Sequence, residues 1–306
     1  MLVKRSIGVA IVLFWCLMNF LLIKRQLAAT PAVLTLRGTE KITESSEEWL
    51  GVYFRGEKIG YATQTITPTA QGYELRDRSV LNLNLLGSVQ TAQTKLAMAA
   101  NQDWILEWFD FELSSKDVAF KARGAVKDNK LTLAVDSAGH RSNQELTLTQ
   151  APYLLAALKP YVVTQQLETG KKFYFSTFDP STLSQQVTTV VIEGREPIRI
   201  GNRTEPAIRL RQSFRGISVL SWVDGQGRTL KEESPAGMSL VRQSEREARS
   251  PSARALALDI AAQTAIPVAK PIADPHGQSA IELKLSGVDL NNFPLDGGRQ
   301  PLRDNR

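Results

Sequence analysis

Between residues 49 and 149 apolar and polar side chains alternate at every second position, in segments of roughly 7–12 residues separated by turn residues. This pattern constrains the fold more than any other feature of the sequence. The segments are extended, and the links between them are too short for crossover helices, so neighbouring strands must run antiparallel. The spacing predicts strands over 49–55, 58–67, 73–83, 89–100, 104–113, 118–127, 131–135 and 145–148. Hairpin punctuation falls at 55–58, 71–72, 127–130 and 138–139. Ile105, Phe109, Phe111 and Leu113 share one face, and Phe120, Ala122 and Val126 oppose Lys121, Arg123 and Lys127. One side of the sheet is therefore buried and the other meets water.

An apolar stretch at 151–158 predicts a helix of two or three turns, ended or bent by Pro160 and suited to plugging the open side of a curved sheet. A second series of strands follows at 172–178, 185–193, 198–201, 207–214, 217–223, 229–233 and 239–242, with its clearest hairpin at 224–227. The fold class expected is mainly β: an antiparallel meander forming a curved sheet or half-barrel, with one or two short helices. The β-rich domain is expected over 48–250, as meanders 48–150 and 170–245 joined by the helix. Residues 251–306 read as a helix at 253–263, a connector through Pro267, Pro271 and Pro275, a strand at 280–285 and a polar tail.

Residues 7–23, IGVAIVLFWCLMNFLLI, carry no charge. As a helix they would extend about 25 Å, enough to cross a hydrocarbon core of roughly 30 Å with snorkelling flanks. Lys24 and Arg25 follow directly, where a cleaved signal would place small residues, which favours an uncleaved anchor at 1–25. Phe14 and Trp15 before Cys16 exclude a lipidation site. A short N-terminal tail with Lys4 and Arg5 is expected to stay cytoplasmic, leaving the bulk of the chain extracytoplasmic: a single-pass protein of a bacterial inner membrane facing the periplasm. Residues 26–47 read as a tether.

The formal charge of +6 does not point to nucleic acid. Four of the 37 basic residues and none of the 31 acidic ones lie in the first 25 positions, so the remainder is nearly balanced. Catalysis by a nucleophile needs a nearby base, and the chain offers only His140, in a predicted turn, and His276, in the connector. Cys16, the single cysteine, lies in the apolar run. No metal-ligand spacing and no nucleotide-binding motif occurs, so neither cofactor nor metal is expected. Glu107, Asp110 and Glu112 are the carboxylates available for acid–base work, but Asp110 and Glu112 share the polar face of their strand. Trp104 and Trp108 fall on that polar face by parity. They read either as core covered by a helix or loop, or as a surface for an apolar or peptide partner.

Residues 49–61, WLGVYFRGEKIGY, and 221–230, SWVDGQGRTL, together with the meander between them, resemble the N-terminal, non-catalytic region of bacterial transglutaminase-like proteins. No position matches that family's catalytic Cys, His and Asp, so the resemblance implies architecture without activity. The meander and helix are also similar at fold level to the half-barrels of lipoprotein carriers, whose concave face can hold acyl chains. The function expected is a non-catalytic, membrane-anchored binding or scaffolding module with an envelope protein or lipid partner, accessory to a separately encoded transglutaminase-like enzyme. Two other readings stay open: an envelope hydrolase or transferase using carboxylates, and a remnant of a larger transglutaminase-like protein.

Overall fold

Alternation with short turns produces strand after strand, each hydrogen-bonded to the next. The computed structural model describes residues 42–252 except 86, 117, 165–167, 215 and 236, together with 259, 274, 277–280 and 282. The expected anchor at 7–23, the expected helix at 253–263 apart from Asp259, and the expected strand at 280–285 apart from Ala280 and Glu282 lie outside the described residues. Among the described residues no helix is long and apolar enough to cross a membrane.

The first meander comprises β1 (Ser46–Phe54), β2 (Glu57–Pro68), β3 (Gly72–Leu85), β4 (Ser88–Asn101), β5 (Leu106–Ser114), β6 (Ala119–Lys127), β7 (Lys130–Ser137) and β8 (His140–Thr147). After helix α1 (Leu155–Thr164) come β9 (Lys172–Asp179), β10 (Ser184–Ile200), β11 (Arg203–Phe214), β12 (Ile217–Val223), β13 (Thr229–Glu233) and β14 (Met238–Arg242), then helix α2 (Glu245–Arg249). β1 pairs antiparallel with β14, which joins both runs into one 14-stranded antiparallel sheet with β8 at one edge and β9 at the other.

Several boundaries differ from the sequence pattern for local reasons. The expected strands at 185–193 and 198–201 are one strand, β10, whose register against β11 slips between Ile192 and Gly194. Pro197 and Pro206 face each other there, beyond Val191, where β9 stops pairing, and before Ile208, where β12 begins. Their missing N–H groups therefore cost no ladder bond. The helix begins at Leu155 rather than 151 and continues through Pro160 to Thr164. Residues 151–154 instead run extended, because they are held between two strands. Tyr153 N–H donates to Ser176 O at 2.7 Å on β9, Leu106 N–H to Pro152 O at 2.9 Å, and Leu154 N–H to Trp104 O at 3.2 Å. This seam draws β9 towards β5, and Phe109 and Phe178 stack across it with centroids 5.3 Å apart.

Inside the curve, α1 buries Leu158, Tyr161, Val162 and Val163, with Tyr161 edge-on to Phe175. Outside, α2 lies on β1 and β2. Ser244 and Glu247 form a reciprocal capping box, and the Arg249 guanidinium sits 4.7 Å from the Trp49 ring centroid. The folded wall starts before β1, where Ser45 Oγ donates to Ile66 O at 3.3 Å.

Close strand approach requires glycine at position 60. A Cβ on Gly60 would lie 2.0 Å from the Val80 carbonyl oxygen of the neighbouring strand, whereas one on Gly194 would meet nothing within 4 Å. Gly60→Ala should therefore lower stability by about 1–3 kcal/mol, while Gly194→Ala stays near neutral. Urea unfolding of the two variants measures the contrast, and equal midpoints would contradict it.

Candidate ligand-binding cleft

The inward face of the curved sheet is apolar over one part and mixed with polar side chains over another. Register explains the polar part. Asp77 on β3 stands opposite Gln64 on β2, and Gln64 opposite Glu48 on β1. The three form a cross-strand row on the same inward face as Leu75, Ile66 and Leu50. Glu232 on β13 and Gln212 on β11 add polar side chains from the second run of strands. Together with apolar Ile66, Leu75, Leu96, Met98, Trp104 and Phe178 these side chains surround a cleft of about 920 Å³. Its size and mixed lining are those of a small-molecule site.

The cations of the cleft are already committed. Lys159 of α1 reaches across to donate to the Glu232 carboxylate and, at 3.0 Å, to Thr229 Oγ1; Ser221 Oγ donates to the same Glu232 oxygen at 3.0 Å. This largely buried pair pins the helix to β13. Arg228 and Arg242 both engage Asp224, at 2.8 and 3.2 Å. Burial pushes the Asp224 carboxyl up, but backbone N–H groups of Arg228 and Gln226 and the two guanidiniums outweigh it and hold the group below its usual value. The 224–227 turn is a hairpin whose aspartate is consumed by its own loop and these arginines.

Asp77 and Glu48 are less well served. Burial raises both carboxyls, Asp77 from 3.8 to about 6. For Glu48 the desolvation is opposed by Arg242, 3.9 Å away, by Lys159, and by the Thr229 N–H, which donates at 3.1 Å. Gln64 donates to Asp77, yet Asp77 Oδ1 is shut off from water and has no hydrogen-bond partner. Gln212 is only 6% exposed and its Nε2 also lacks a partner, as does Gln186 Oε1. Such atoms ordinarily find partners in folded proteins.

Trp104 and Trp108 part company. Trp108 lies on the outer face, 39% exposed, opposite Ala125 and Ala99. Trp104, 2% exposed, precedes β5 with φ 62°, in a turn held by Asn101, whose side-chain oxygen accepts from the N–H groups of Asp103 and Ile105. The alternation is reset by a bulge at Glu107, where the register against β4 shifts between Ala99 and Ala100, so Trp104 points inward with Leu106 while Trp108 points out; the inward indole stacks on Tyr73 at 3.8 Å and lines the cleft. The expectation that both indoles share the polar face is corrected for this reason. Asp110 and Glu112 stand outside, paired across the strand with Arg123 at 2.8 Å and Lys121 at 3.6 Å, and Glu107 is exposed. His140 is exposed at the start of β8 rather than in the turn itself. Among the described residues no group of His, Cys, Asp and Glu could hold a metal ion.

No protein-family model matches the sequence, and none of the curated proteins does. Two solved structures are similar to it in part. One is a beta-barrel-like protein of a domain of unknown function, DUF1849, from Brucella abortus: 9% identity, TM-score 0.49, 65% of this chain and 95% of that one. The other is a DUF1089 family protein from Pseudomonas aeruginosa: 10% identity, TM-score 0.34, 66% of this chain and 94% of that one. Overlaps this shallow carry no functional argument, which has to come from the cleft's own chemistry.

The raised Asp77 carboxyl ties stability to pH. The folded state holds the proton more tightly than the unfolded state, so the contribution of this group to stability is full below about pH 4 and is lost as pH rises from there through about 6. At neutral pH the ionised group costs on the order of 2–3 kcal/mol relative to its protonated form. Asp77→Asn should raise Tm at pH 7.5 by roughly 4–8 °C and lose that advantage at pH 4. Melting curves at both pH values decide it; a variant no more stable at pH 7.5 would show the carboxylate to be comfortably solvated.

Proposed function

We propose that this chain is a membrane-anchored, extracytoplasmic binding module that takes an amphipathic ligand into the mouth of its curved sheet. The observation that carries the reading is the cleft itself. It offers about 920 Å³ with an apolar wall of Leu75, Leu96, Met98 and Trp104 beside a floor holding Asp77 Oδ1 without a partner. An apolar segment would cover the wall, and a polar head would meet the floor. Residues 7–23 supply the support for anchoring, and the resemblance of residues 49–61 and 221–230 to the non-catalytic part of transglutaminase-like proteins supports an accessory role beside a separately encoded enzyme of that kind.

One observation favours a second reading, a hydrolase or transferase using carboxylates: Asp77 and Glu48 both have raised pKa values on one wall. They are two strands apart, roughly 10 Å at the backbone, and Gln64 stands between them. The space in which a reacting atom would sit is thus occupied by an amide, which favours binding over turnover.

A photo-crosslinking amino acid placed at Leu96 in the full chain, irradiated in the native envelope, should yield a small amphiphile adduct on the peptide carrying that position. The same group at Trp108, on the outer face, should not. Absence of any adduct at position 96 in mass spectra would sink the cleft as the site. Deleting residues 1–25 should move the protein from the membrane pellet to the soluble fraction, and retention in the pellet would remove the anchor.

A further inference from the structure

Resting on the amphiphile-binding reading above, we infer that the ligand head is a primary ammonium, which donates to Asp77 while an alkyl chain lies along Leu75, Leu96 and Met98. Three observations converge on this. The described residues lining the cleft include six carboxylates, Glu44, Glu47, Glu48, Asp77, Asp179 and Glu232, against two cations, Lys159 and Arg228. Both cations are paired with protein carboxylates, Lys159 with Glu232 and Arg228 with Asp224 at 2.8 Å, so neither is offered to an anion. An anionic head would also enter a field of like charge, whereas a cation would relieve it.

The second observation is the shielded, unpartnered Asp77 Oδ1. A carboxylate accepts and does not donate, so only a donor satisfies it. Gln64 already supplies one donor. Asp77 lines the cleft, so a turn of its carboxyl group about the Cβ–Cγ bond presents the covered oxygen to a donor seated there, and an ammonium brings charge as well as protons. Gln186 Oε1 and Gln212 Nε2 lack partners too. Because amide oxygen and nitrogen exchange places on a flip, those two side chains can accept or donate to the remainder of the head, and the choice of charge is left to Asp77.

Register supplies the third. Leu96 on β4 is the cross-strand partner of Asp77, and Met98 that of Leu75, on the same inward face. The acceptor and the apolar wall are therefore adjacent on two neighbouring strands, so that one molecule with a cationic end and a hydrocarbon chain touches both at once. A quaternary ammonium would satisfy the field but not Oδ1; a primary one satisfies both.

The test uses the full chain held in zwitterionic nanodiscs at pH 7.5, titrated with octylammonium, octanoate and octanol, with intrinsic tryptophan fluorescence and the shift in Tm as readouts. Octylammonium should bind at least ten-fold more tightly than either of the others. Asp77→Asn, which keeps the shape and removes the charge, should abolish that preference and bring the octylammonium affinity down to that of octanol. Equal affinities for the three probes, or a preference that survives Asp77→Asn, would overturn the ammonium inference and leave the cleft reading standing. If none of the three binds, the cleft reading falls with it.

Discussion

The seam at residues 152–154 is the contact on which the rest of the structure depends. A 14-stranded meander with one apolar face has two ends, and nothing in the ladder obliges them to meet. By donating and accepting backbone hydrogen bonds with Trp104, Leu106 and Ser176, the segment ties β9 to the start of β5 and leaves α1 inside the curve. Gln185 reinforces it from the β10 side. Its amide oxygen accepts from Thr149 N–H at 2.9 Å, and its nitrogen donates to Gln150 O at 2.6 Å and Ser176 Oγ at 2.7 Å. An extended connector between two strands can satisfy its own backbone, which a loop buried in the same place could not. Closing the curve in this way gives the inner face an interior, and hence a cleft.

What fills that interior is not uniform. Around Phe109, Leu133, Leu158, Val162 and Phe175 the core is apolar and shut. Towards the mouth the same inward positions carry Glu48, Gln64, Asp77, Gln212 and Glu232. Burying such groups is unfavourable unless each finds partners, and leucines at those positions would build a simpler core. Lys159, Thr229 and Ser221 satisfy Glu232; Asp77 Oδ1 stays unsatisfied. Departures of this kind from the rules that make a fold stable are expected where a site is kept. The outer surface offers no such tension, since Asp110 with Arg123 and Glu112 with Lys121 are exposed cross-strand pairs of small energetic weight.

Much of the architecture could be read from the alternation. Short turns forced the antiparallel order, and the inward set of Phe109, Phe111 and Ala122 buries as its parity requires. Three features escaped that reading. Parity fails at Trp104 because a bulge at Glu107 resets the phase within β5, and no residue type announces it. The helix boundary shifted because residues 151–154 are claimed by two strands far apart in sequence, a tertiary demand that overrides local helix propensity. Registers between the two runs, such as Leu50 opposite Arg242, join segments nearly 200 residues apart and leave no local trace. The site, by contrast, did leave one. In β3 the inward series Tyr73, Leu75, Asp77, Ser79, Leu81 is interrupted by a carboxylate, and in β2 Gln64 interrupts Ala62 and Ile66. Polar residues on an apolar stripe were the signal; what sequence could not supply was that the two interruptions face each other.

The sheet's edges bear on where a partner would act. β8 is an open edge, yet nearly all of its side chains are exposed and polar, Arg141 is paired with Asp136 at 3.0 Å, and Lys130 with Glu145 at 2.8 Å on the neighbouring strand. Charged, solvated edges resist adding a further strand. The β9 edge is occupied in part by Tyr153, which bridges to Thr177. With both edges discouraged and the outer face laced by surface ion pairs, the region among the described residues that combines apolar area, unsatisfied polar atoms and room for another molecule is the inner face. Its polar row is fixed by backbone register across β3, β2 and β1 rather than by loops, so its acceptors are held in place before any ligand arrives, and binding there need not bear the entropy of ordering them.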